Sequence, residues 1–167
     1  MTVTRKRIAL PLLALTLCMV AAVARAAELH GASEAFAGPG IAMAWGILRG
    51  TDDASTRVLL RMDVDAAYAD VAVIGVDPFT HATHGLVEHG SGSVALTASR
   101  AHFAQFPRTE VRLFRARSGA PAAEPDLVVY YLGVPDTTPE FDDATKLDDY
   151  LAARLAHLRA AAPRAAP

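Results

Sequence analysis

Cysteine is almost missing from these 167 residues: only Cys18 is present, near the N-terminus. That excludes a disulfide framework and any cysteine-based metal knuckle within the chain. Asparagine is absent altogether, and lysine occurs only at positions 6 and 146. Without asparagine there is no acceptor for N-linked glycosylation. Asparagine and lysine have AT-rich codons, whereas arginine and alanine have GC-rich ones. The skew therefore reads as codon usage, and the abundance of arginine is not by itself a binding signature. Eleven glycines and ten prolines are too few for a collagen or a linker protein. No stretch recurs with the period of a repeat array. A Gly-x-Ser-x-Gly elbow and a glycine-rich phosphate loop before a helix are both lacking. What remains is 52% hydrophobic and 20% charged, the composition of one folded domain.

The N-terminus reads as an export signal. Arg5, Lys6 and Arg7 form a positive start, and Ile8 through Ala24 then run without a charge. Ala24-Arg25-Ala26 places small residues where a signal peptidase reads them, so cleavage is expected after Ala26. A membrane anchor fits less well, because the run is short for a bilayer and Pro11 interrupts it. A lipoprotein at Cys18 would want a small residue where Leu17 stands. Loss of residues 1–26 removes four of the 16 basic residues and no acid, leaving 12 against 18 Asp and Glu, a net charge of −6. An acidic, cysteine-free mature chain repels nucleic acid and anionic membranes. The expected location is the periplasm or outside the cell, with no stable membrane span after processing.

Residues 27–40 are rich in small side chains, end in Gly38-Pro39-Gly40, and are expected to be a flexible lead-in. Period two then dominates. Ile41, Met43, Trp45 and Ile47 share one parity, with Ala42, Ala44 and Gly46 on the other. Val58, Leu60, Met62 and Val64 alternate with Arg57, Arg61, Asp63 and Asp65, the pattern of a half-buried antiparallel strand. Residues 68–76 are apolar on both parities apart from Asp70, 85–89 form a weak strand, and 93–98 alternate. Phe103 and Phe106 fall in an irregular stretch before Pro107. Strands at 109–117 and 127–132 flank a loop with two prolines. The period then changes to 3.6. Ala144, Leu147, Leu151, Leu155 and Leu158 form one helical stripe, with Thr138 as N-cap and Pro139 in the first turn, or a Thr137–Glu140 capping box one register earlier.

About seven strands followed by one helix predict a mainly β fold: an antiparallel β-sandwich with Greek-key-like connections and one C-terminal α-helix. It is immunoglobulin-like only by analogy of architecture, since the cysteine pair and strand-C tryptophan are lacking. An α+β sheet with a covering helix is the alternative. The expected layout is a signal at 1–26, the lead-in at 27–40, a β-rich body at 41–133, the packed helix region at 134–162 and a frayed tail at 163–167.

The chemistry-bearing constellations are few. His81, His84 and His89 fall within nine positions, flanked by Asp77 and Glu88. Neutral imidazoles suit zinc or copper, although His-x2-His-x4-His matches no standard site. The acids Asp136, Glu140, Asp142, Asp143, Asp148 and Asp149 lack the calcium-loop spacing and read as helix N-terminal charges. Arg108, Arg112, Arg115 and Arg117 cluster near one strand, but 112 and 115 differ in parity, so a charged edge strand explains them better than an anion pocket. The leading functional expectation is an exported, non-catalytic β-rich module that binds a protein or an envelope component. The alternatives are a periplasmic zinc- or copper-binding protein using His81, His84 and His89, and a small hydrolase whose site assembles only in the fold.

Overall fold

The computed structural model describes residues 26–77, 79–80, 83–88, 92–115 and 124–162. The signal segment, apart from Ala26, and the tail at 163–167 lie outside the described residues. Ten strands and two helices follow in order: β1 (Ala27–His30), β2 (Ala35–Gly38), β3 (Ile41–Leu48), β4 (Arg57–Val64), β5 (Tyr68–Val76), β6 (Thr83–Glu88), β7 (Ser93–Ser99), α1 (Arg100–Phe103), β8 (Arg108–Arg115), β9 (Leu127–Leu132), β10 (Glu140–Phe141) and α2 (Ala144–Ala161). The strands β3 to β9 are the seven expected from the sequence.

They pair into two sheets. One has the order β1-β9-β8-β5-β6 and the other β10-β3-β4-β7, with β2 also on β3. The seven long strands pair antiparallel, and the chain passes between sheets after β1, β4, β6, β7 and β9. This is the expected β-sandwich. The large parity of β3 and the apolar parity of β4 face the other sheet, where Val71, Val73, Val111, Leu113, Leu127 and Val129 meet them. Trp45 is fully buried at the centre, edge-on to Phe103 at 5.6 Å and to Tyr131 at 5.1 Å. Such edge contacts add to what burial alone contributes.

The helix forms a third layer. Its stripe Leu147, Leu151 and Leu155 is buried on Ala42 and Ala44, the small parity of β3. Gly46 completes that surface: a methyl group there would collide with Leu147 Cδ1. So β3 is buried on both faces, with large side chains toward the sandwich and small ones leaving room for α2. Ion pairs border the contact. Arg154 meets Glu34 at 3.2 Å, Arg159 meets Asp63 at 3.0 Å, and Arg61 reaches Asp148. The charged face of β4 is thus shared between solvent and helix.

Four expectations need correction. The arginine-rich β8 is not a charged edge strand, because it lies between β9 and β5 in the middle of its sheet. The stretch 27–40 is not a structureless lead-in, because β1 pairs in parallel with β9 and β2 pairs antiparallel with β3. Its small residues carry little periodic signal, yet its backbone groups complete two sheet edges. The helix does not start at Thr138. Pro139 O accepts from Ile47 N at 3.0 Å and Phe141 O from Arg49 N at 2.8 Å, so this segment extends β3's sheet as β10. Asp143 is the N-cap, accepting from the backbone N–H groups of Thr145 and Lys146. Finally, the stretch before Pro107 contains α1, which Ser99 caps through His102 N.

Candidate functional site

At one end of the sandwich, three distant segments enclose a cleft of about 750 Å³. Ile47, at the end of β3, and Phe103, on α1, contribute its apolar lining, and both are nearly fully buried. Ser99 holds α1 in place at one end, and Arg100 N donates to Thr56 O at 2.9 Å. Phe103 is fixed by its edge contact with Trp45. The facing wall is the link between β9 and β10. Gly133 has φ +77°, a backbone conformation that glycine adopts without strain, and its N–H donates to Pro107 O at 3.0 Å. That turn carries the chain away from the sheet, and Val134 and Pro135 continue the wall. Leu132 stands at the cleft 67% exposed; Phe79 is the only other large apolar side chain so exposed among the described residues.

The polar groups of the cleft have distinct partners. Glu140 accepts from Arg49 Nε at 2.9 Å and from Arg100 Nη2. The hydrogen bond from Arg49, followed by that from Arg100, holds its carboxyl below the ordinary range. A carboxylate kept ionised between two guanidinium groups is a poor general base at neutral pH. Thr138 is buried, and its Oγ1 has no hydrogen-bond partner among the described residues. Asp136 lines the cleft, is exposed, and has no ion pair among the described residues.

The wall 132–136 also borders a smaller hollow of about 230 Å³, reached by Gly31 and Tyr131. Tyr131 is fully buried, and burial pushes its phenol well above the ordinary value. Its hydroxyl and the Trp45 indole N–H come close without reaching hydrogen-bond geometry. The arrangement offers an apolar cradle with a few fixed polar groups. That is the general character of a small-ligand site.

The other sequence candidates fall elsewhere. His81 and His89 lie outside the described residues. The backbone of His84 belongs to β6, opposite Gly75. No group of three His, Cys, Asp or Glu is placed to hold a metal among the described residues. Arg108 and Arg112 do share a face, but both grip Glu110 at 2.8 Å, so their forks are occupied by the chain's own carboxylate. Arg115 lies 5.6 Å from the Tyr68 ring, and Arg117 is outside the described residues. Among the acids, Asp143 caps α2, Asp148 pairs with Arg61, and Glu140 joins two arginines. Sequence reasoning missed Arg100 and Phe103 as site residues, and it assigned Thr138 and Glu140 to the helix start. No local pattern marks the cleft, because its parts lie about fifty and thirty residues apart along the chain and meet only in the fold.

No family model matches the chain, and neither a curated protein nor a solved structure does. Among the described residues, no helix is long and apolar enough to cross a membrane.

Proposed function

We propose that the chain is an exported binding module that captures a protein or envelope component, with the cleft beside α1 as its contact site. One observation carries the reading: the cleft is lined mainly by apolar side chains, and Glu140 within it is neutralised by Arg49 and Arg100. Such a site can hold and orient a ligand, and Glu140, paired with two guanidinium groups, is ill suited to serve as a base. Function resides in sites rather than folds, so the sandwich itself adds no weight to the reading.

The test uses a feature of the sequence. With residues 1–26 removed the chain has no cysteine, so Leu132→Cys provides a single attachment point for a photo-crosslinker at the cleft. Ala156→Cys, on the exposed side of α2, is the control. In an envelope extract, the Leu132 variant is expected to capture a discrete component that the Ala156 variant does not. Equal labelling from both positions would refute the reading.

A further inference from the structure

The end of a β-sheet presents a row of unpaired backbone groups, and proteins blunt such ends by shortness, charge, proline or a bulge. Most ends of this sandwich are blunted. Strand β1 has four residues, including Glu28 and His30, and the far side of β3 carries only β2 and β10, of four and two residues. Strand β6 is broken by a register shift opposite Val73 and Ile74. Strand β7, which ends its sheet, has no such device. Its seven residues, Ser93 to Ser99, contain no charge, proline or glycine, and they pair with β4 without a shift in register.

The open side of β7 follows from its ladder. Val64 N donates to Gly92 O at 2.8 Å and Arg100 N to Thr56 O at 2.9 Å, at the two ends of the β4–β7 pair. Hydrogen-bonded pairs recur at every second residue of an antiparallel ladder, so Val94, Leu96 and Ala98 bond to β4. The N–H and C=O groups of Ser93, Ala95 and Thr97 therefore point away from it, and β7 pairs with no other strand among the described residues. Beside the second half of β7 lies a hollow of about 400 Å³, bordered by His102 and by Gly85, which brings no side chain into it.

We infer that this edge is a homodimer contact, in which β7 pairs antiparallel with β7 of a second copy across a twofold axis at Leu96. The occupant follows from the symmetry of the strand itself. Outward from Leu96, Ala95 matches Thr97, Val94 matches Ala98 and Ser93 matches Ser99. A twofold axis there overlaps the whole strand, opposes outward groups to outward groups, and sets small uncharged side chains against each other. Ala95 of each copy and Thr97 of the other then share about four interchain backbone bonds. Charge agrees with this register. Asp63 lies beside Ser93 and Arg57 beside Ser99, so each row across the dimer runs from Asp63 of one copy through two serines to Arg57 of the other. The contact is separate from the cleft, whose lining includes none of residues 93–99.

Sedimentation of the exported protein from micromolar to millimolar concentration should show a monomer–dimer equilibrium. Amide exchange at Ala95 and Thr97 should slow as the dimer forms, while Val94 and Leu96, already bonded to β4, change less. Ala95→Pro removes one outward donor from each copy and leaves the β4 ladder intact, as edge strands allow. It should weaken the dimer by about tenfold or more. Thr97→Lys, which charges the edge, should weaken it too, and unchanged Trp45 fluorescence verifies that both variants fold. A chain that stays monomeric with freely exchanging amides at 95 and 97 would overturn the inference, as would a dimer that both variants leave intact. A monomer in which those amides become protected only on adding envelope extract would also overturn it, and would assign the edge to a strand from a different protein.

Discussion

Leu151→Ala isolates the contact that joins the helix to the sandwich. Leu151 is fully buried beneath α2, facing Ala42, Ala44 and Gly46 on β3. An 18-residue helix is marginal alone in water, so α2 depends on this docking. Truncating a buried leucine costs about 2–5 kcal/mol, more where the surroundings cannot collapse. Here the surface directly opposite is backbone and methyl groups of a strand that is paired on both sides, and the longer side chains of the cluster, such as Leu48 and Leu59, pack around it and not beneath Leu151 itself. The expected loss is therefore in the upper part of that range, about 3–5 kcal/mol, against a total stability of about 5–15 kcal/mol. With a urea slope near 2 kcal/mol/M, the unfolding midpoint should fall by about 1.5–2.5 M. Far-UV circular dichroism reports the helix, and fluorescence of Trp45, the only tryptophan, reports the sandwich core. Both transitions should shift together, because the helix and β3 unfold as one unit. Asp149→Ala, on the exposed side, should stay within about 0.5 kcal/mol of the parent. If the dichroism transition moves while that of Trp45 stays in place, α2 is an independent arm and the reasoning fails.

Three further outcomes are expected. Asp143 accepts from Thr145 N and Lys146 N, and those bonds, that from Lys146 first, hold its pKa below the ordinary 3.8. A lowered carboxylate pKa stabilises the fold above the unfolded value and ceases to do so as pH falls through the folded one. Urea titrations should therefore find Asp143→Asn less stable than the parent near neutral pH and equal to it in strong acid; a gap that ignores pH would contradict this. Mass spectrometry of the exported protein should show loss of residues 1–26 and a new N-terminus at Ala27, whereas an intact Met1 in a membrane fraction would make the segment an anchor. Calorimetry with zinc should find only weak binding without a stoichiometric site, since His-x2-His-x4-His matches no standard zinc site. One tight site abolished by His84→Ala would instead establish the metal-binding alternative.

The amino-acid sequence by itself determined the long elements. Alternation at 58–64 has one physical outcome in water, a strand with Val58, Leu60, Met62 and Val64 buried, and that is the strand observed. The leucine stripe likewise required an amphipathic helix and a surface to receive it, and Leu147, Leu151 and Leu155 are buried as that stripe demands. Tertiary structure decided the rest. Strands β1, β2 and β10 have four, four and two residues, too few to show a period, and they exist because β9 and β3 offer open edges. The same competition moved the helix start from Thr138 to Asp143: backbone pairing with Ile47 and Arg49 took residues 139–141 first. The small parity of β3 shows on the page as Ala42, Ala44 and Gly46, but only the packed helix gives it a purpose. The cleft is the extreme case. Ile47, Phe103 and Thr138 each suit a local role, and their convergence depends on strand order and on the turn at Gly133, which no nearest-neighbour pattern encodes.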